Sequence, residues 1–193
     1  MFRAIAASVL LCVSSLASAQ WQIDNDSSTV NFISIKNDLV AETHSFGSLA
    51  GRIGDDGAVE LAIDLDSVET LIPIRNERMR ELLFETRQYP TASVSAQVDP
   101  AMIASALAGD VLATTVQVGL SLHGQDALVE VPVQVSAQAG AFISVVSTRP
   151  VIINAANFGL DGGIVALREI AGLNAIASAV PVTLNLRFVP DGR

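Results

Sequence analysis

The side chains able to do chemistry are few and widely spaced. His44 and His123 are the two histidines, and neither has a second histidine or a cysteine at metal-ligand spacing, so each reads as a surface or turn residue rather than a ligand. Ser45 and Ser121 lie near them in sequence, without the glycine-flanked elbow that presents a nucleophilic serine. Carboxylates are plentiful, but Asp64 and Asp66 fall on the polar side of an expected strand and Asp55-Asp56 in an expected turn, where aspartate serves solvation and turn formation. Gly47, Gly51 and Gly54 do not make a phosphate-binding loop followed by a helix. Arg75, Arg78 and Arg80 could hold an anionic head group, although with Glu77 and Glu81 interleaved they also describe the solvated face of a charged helix. No catalytic constellation, metal centre or cofactor is expected from these residues.

The elements that carry them are mostly strands. Apolar residues recur with period two in Val59-Leu61-Ile63-Leu65, in Leu112 to Leu122 through Val116, Val118 and Leu120, in Val129-Val131-Val133-Val135, and in Val180-Val182-Leu184-Leu186-Phe188. Such alternation turns one face inward and one to water, and in the last three segments the intervening residues are mainly Thr, Gln, Ser, Glu, Asn and Arg. Less regular strands are expected over 29–35, 40–53, 92–98 and 141–153, which brings the number to about eight. His123-Gly124-Gln125-Asp126 and Gly54-Asp55-Asp56-Gly57 read as hairpin turns.

Three short helices interrupt the strands. Asp99 is an N-cap, Pro100 takes the first helical position, Met102, Ile103, Ala106 and Leu107 form an apolar face, and Gly109 stops the helix. A second helix is expected over 73–85, with Met79, Leu82 and Leu83 on one face, and a third over 161–172, with Ile164, Leu167, Ile170 and Ala171 at helical spacing.

The N-terminus reads as a leader. Arg3 precedes an apolar run over 4–13 and then Ser14-Ser15-Leu16-Ala17-Ser18-Ala19, the order of a secretory signal cleaved after Ala19. The run is too short to span a bilayer. Bulky Leu11 before Cys12 disfavours a lipid attachment site. Cleavage would leave one domain, 20–193, with no cysteine and hence no disulfide. It would also leave ten basic against twenty acidic residues, a surface that repels nucleic acid and anionic membranes.

About eight strands with one apolar face must close into a barrel or pack as two sheets. A membrane barrel would carry aromatic girdles. Here there is one Trp, one Tyr, and helices between strands.

The order of features resembles the YceI-like proteins of bacterial periplasms. The resemblance rests on Trp21-Gln22-Ile23-Asp24, Ser28-Thr29-Val30-Asn31-Phe32, Gly47 to Gly51, and Asp64-Leu65-Asp66-Ser67-Val68-Glu69-Thr70. It continues through Arg75-Asn76-Glu77-Arg78-Met79-Arg80, Phe84, Tyr89-Pro90, Val118 to Gly124 and Asn157-Phe158-Gly159-Leu160. Three departures stand out: the family's Arg-Asp-x-His-Leu stretch is Arg75-Asn76-Glu77-Arg78-Met79, the Arg often found before Phe-Gly is Asn154 or its neighbour, and 161–172 reads as helix where many members continue almost directly into a strand. The resemblance implies a lipocalin-like antiparallel eight-stranded barrel holding a polyisoprenoid or other long-chain amphiphile, such as an isoprenoid quinone or a fatty-acid-like molecule. Read from the strands alone, the same stripes serve a dry core or a ligand lumen equally well.

On this basis the lumen candidates are Val30, Phe32, Phe46, Val116, Val118, Leu120, Val131, Val133, Leu184 and Leu186, with Phe84 and Phe158 at the mouth. Each buried CH₂ contributes about 0.8 kcal/mol, so about ten would offset much of the roughly 4–15 kcal/mol cost of association. The expected function is a non-enzymatic periplasmic carrier. The alternatives are an adaptor that binds a protein partner through its acidic outer face, and a His-dependent enzyme on a lipidic substrate; pairing with a second copy is left open.

Overall fold

The computed structural model describes residues 20–37 and 39–192; the expected leader, with Cys12, lies outside them. Twelve strand segments form one hydrogen-bonded antiparallel sheet, and eleven of them make eight staves that follow one another in chain order. The first stave is Trp21–Ile23 with Thr29–Lys36, and the second Val40–Phe46 with Leu49–Ile53. The third to sixth are Ala58–Asp64, Thr91–Gln97, Leu112–Leu122 and Gln125–Gln138. The seventh is Phe142–Ser147 with Val151–Asn154, and the eighth Ala179–Pro190. The ring closes where the eighth stave pairs with both parts of the first, Pro190 opposite Trp21 and Val182 opposite Phe32. The expected eight-stranded barrel is the observed fold, and closure leaves it no long unpaired edge.

Two expected strands are interrupted, each for a visible reason. Across Gly47-Ser48 the backbone bonds elsewhere: Gly47 N–H to the Ser67 carbonyl (3.0 Å), Ser48 N–H to Ser67 Oγ (3.0 Å) and Leu49 N–H to Asn25 Oδ1 (2.7 Å). These partners belong to the short 3₁₀ turns Asn25–Ser27 and Leu65–Ser67. In the seventh stave the break falls at Thr148-Arg149-Pro150, where proline has no N–H to give a ladder.

Helices close the two ends differently. Helix α1 (Pro73–Arg78) continues as a π-helical segment, Met79–Leu83, closed by Phe84 N–H to the Met79 carbonyl. Helix α2 (Pro100–Leu107) begins as expected, with Asp99 accepting from Ala101 N–H (2.8 Å) and Pro100 at the first position. Helix α3 (Asp161–Ile170) ends before Gly172, whose φ of +63° suits glycine. By strand direction, α2 lies at the end that carries the Gly54–Gly57 turn, while α1 and α3 share the opposite end with Lys36 of the first stave, Val40 of the second and the turn at 123–124. There α3 meets the π segment at Gly163. A Cβ at that position would sit 2.5 Å from the Leu82 carbonyl oxygen and 2.7 Å from Leu83 Cα, so only glycine allows the approach.

Candidate functional site

Alternation along the staves sends Val116, Val118, Val131, Val133, Leu184 and Leu186 inward, while Thr115, Gln117 and Glu130 occupy the other parity. Inside is a cavity of about 610 Å³ that runs the length of the barrel, from Met102, Ile103 and Phe188 at the α2 end to Ile164, Leu167 and Ile170 of α3. Its size falls in the roughly 300–1,000 Å³ range of small-molecule sites. Ile72, Ile74 and Ile170 line the cavity yet are 43%, 50% and 50% exposed, so it opens between the start of α1 and the end of α3.

Eleven of the twelve residues singled out from sequence lie on this cavity: Val30, Phe32, Phe46, Phe84, Val116, Val118, Leu120, Val131, Val133, Leu184 and Leu186. Phe84, expected at the mouth, is instead buried in the wall against Phe46 (ring centroids 5.9 Å), and Phe46 in turn contacts Phe32 (5.3 Å). Phe158 is not among the lining residues. The 3₁₀ turn Ala155–Phe158, capped by Asn154 and ended by Gly159 at φ +67°, buries it in a separate cluster with Ala155 and Leu160.

One end of the lining is polar, which the sequence pattern did not reveal. Along the first stave the lining residues change from Val30 and Phe32 to Ser34 and Lys36. His44 stands opposite Phe32, and Glu42 opposite Ser34, in the second stave. His44, expected on the surface, is only 3% exposed, its ring 5.1 Å from Phe32 and its Nε2 2.8 Å from Ser34 Oγ. The tautomer is set by which of the two donates. Lys36 and Arg75 both donate to Glu42 Oε2, each at 2.6 Å, and Arg75 Nη2 donates to the Thr70 carbonyl (2.6 Å).

The polar corner is anchored from below. Asn76, on α1, accepts from Thr70 N–H (2.8 Å) and Thr70 Oγ1 (2.5 Å) and donates to Glu69 Oε1 (3.1 Å). Arg75 is therefore held by the same turn that starts its helix. The Lys36 ammonium, followed by Arg75, holds the Glu42 carboxyl below the usual range, and Asn76 does so for Glu69. Burial, followed by the Arg75 charge, pushes the His44 imidazole down, so the neutral ring is favoured.

Two buried atoms of this corner have no partner, His44 Nδ1 and Arg75 Nε. An unmade buried hydrogen bond costs about 1–3 kcal/mol, which makes both atoms costly unless something meets them. Arg78 also lines the cavity. The α1 arginines are thus not a uniform solvated face: Arg75 and Arg78 reach the lumen, while Arg80 Nη1 donates to the Asp66 carbonyl on the exterior.

His123 does different work. Its Nδ1–H donates to the Phe158 carbonyl (3.2 Å), its Nε2 lies 3.1 Å from Glu85 Oε2, and its ring packs on Tyr89 at 4.4 Å. Gly124 beside it, at φ +73°, has Tyr89 Cε1 2.9 Å from where a Cβ would stand. These residues clasp the fifth–sixth hairpin to the end of the π segment and the Phe158 turn. Among the described residues no group of three His, Cys, Asp or Glu side chains is placed to hold a metal ion, and no helix is long and apolar enough to cross a membrane.

Comparison with known proteins agrees with this architecture. None of the curated proteins compared matches the chain. Among solved structures, a polyisoprenoid binding domain from Saccharophagus degradans, implicated in plant cell wall breakdown, is 38% identical, with a TM-score of 0.85 over 90% of this chain and 99% of that one. Burkholderia cenocepacia BcnA shares the fold at 18% identity (TM-score 0.64, 86% of this chain and 98% of that one). So does the Campylobacter jejuni YCEI protein at 10% (TM-score 0.51, 78% and 85%). The family model for the YceI-like domain matches residues 21–188, nearly the whole described chain, and the protein belongs to that family.

Proposed function

We propose that this chain is a non-enzymatic carrier that holds a polyisoprenoid or other long-chain amphiphile in the lumen of its barrel. The observation that carries this reading is the cavity of about 610 Å³ with a wall of Val, Leu, Ile and Phe. At about 24 cal/mol per Å³, an unfilled space of that size would cost on the order of 10 kcal/mol, as much as the whole net stability of a typical domain. A core selected only for packing would be filled by larger side chains. The 38% identical relative is a polyisoprenoid binding domain, which supports the same ligand class.

Residues 1–19 support export, and a carrier of membrane-derived chains has its use in the periplasm. Slender hydrocarbon fits a lumen that one small barrel can enclose, and it needs no charged contact along most of its length. Native mass spectrometry of protein isolated from its own periplasm tests the reading. A co-purifying mass of a long-chain molecule is expected, and repeated recovery of the bare polypeptide mass would contradict it.

A further inference from the structure

We infer that the mouth of the lumen is a head-group site for an anion, so that the preferred ligand is a long chain ending in a carboxylate or phosphate rather than a neutral ring or alcohol. The inference rests on the lumen reading above and adds the chemistry of the ligand's polar end.

Charge is the first observation. The chain carries 20 acidic against 11 basic residues, yet Lys36, Arg75 and Arg78 line the cavity and no Asp or Glu is among its described lining residues. The carboxylate that meets these cations is Glu42, and it serves Lys36 and Arg75 through one oxygen, so two cations share one negative charge. Arg78 makes no ion pair among the described residues. The corner therefore keeps an excess of positive charge next to an apolar wall, where low dielectric strengthens attraction for an anion.

The second observation is independent of charge. Among the described residues three buried side-chain atoms lack a partner, and two of them, His44 Nδ1 and Arg75 Nε, belong to this corner. The third, on Arg187, has its guanidinium over the Phe142 ring at 4.0 Å, outside the lumen. Arg75 Nε can only donate. His44, 3% exposed and on the cavity wall, offers an Nδ1–H when Ser34 Oγ–H donates to its Nε2. An acceptor-only head group satisfies both, and a carboxylate or phosphate is acceptor-only when ionised. The hydrocarbon then extends past Phe32 and Val30 toward α2.

The test uses delipidated protein and two matched pairs at pH 7.5 and low salt: palmitate against hexadecanol, and geranylgeranyl phosphate against geranylgeraniol. Calorimetry is expected to show at least one anion binding about tenfold or more tighter than its alcohol, and the pair that shows it identifies carboxylate or phosphate. In Arg78→Met, and separately in Lys36→Met, that advantage, read as the ratio of anion to alcohol affinity within each variant, should fall to about threefold or less. Equal binding of acid and alcohol, or an advantage that survives in both variants, overturns the head-group site while leaving the lumen reading intact. Failure of all four molecules to bind would overturn the lumen reading itself.

Discussion

The two ends of the barrel are built from the same kinds of element, short helices set across strand ends, yet one is sealed and the other is not. At the α2 end, Ala106 is wholly buried and Phe188 and Ile143 are each 1% exposed, and the helix is fixed by its own cap. At the α1–α3 end, Ile72, Ile74 and Ile170 stay exposed on the cavity's edge, and Lys36, Glu42 and Arg75 pair between α1 and the first two staves. A stopper needs only apolar complementarity. An entrance has to leave apolar surface uncovered and to hold buried polar atoms in reserve, and both features destabilise the apo protein locally.

That contrast can be broken by truncating one residue at each end. Phe188→Ala removes a ring that is 1% exposed and is expected to cost about 3–5 kcal/mol of unfolding free energy in urea. Ile74→Ala, half exposed at the mouth, should cost less than about 1 kcal/mol by the same measurement. Similar losses from the two would mean that the α1–α3 end is packed as tightly as its counterpart.

A smaller effect sharpens the contrast through pH. Because folding lowers the His44 pKa, the unfolded chain binds the proton more readily, and this contribution to stability is complete above the ordinary histidine value of about 6.5. It declines as pH falls below that value. Glu42 and Glu69 also have lowered pKa values, so their contribution persists to lower pH and is lost only as pH falls through the carboxylate range. Thermal melts between pH 8 and 5 should show the His44 step, and His44→Phe should abolish it while leaving the later carboxylate loss; an unchanged profile would contradict the burial of a neutral ring.

Much of the barrel was legible in the sequence because a stave buried on one face must alternate. The segment Leu112–Leu122 ends where its pattern ends, and the Asp99-Pro100 pair announces α2 through chemistry confined to neighbouring residues. The strand breaks at Gly47-Ser48 and Thr148-Arg149-Pro150 were not legible. In the first, backbone bonds go to Asn25 and Ser67, partners some twenty residues away. The polar corner was hidden for a related reason. In Glu42-Thr43-His44-Ser45 both parities are polar, so alternation carries no information about which side faces in, and only the pairing of His44 with Phe32 settles it. Phe158, expected at the mouth, is directed by a 3₁₀ turn into a cluster of its own.

If the protein is a carrier as proposed, its lumen holds a long chain. An electron-density map of protein isolated from its native cells and crystallised without delipidation tests this most plainly. Continuous slender density is expected from beside Phe188 and Met102 past Phe32, ending at His44 and Arg75. Lumenal side chains that meet across the barrel, or discrete water peaks in place of a chain, would contradict it.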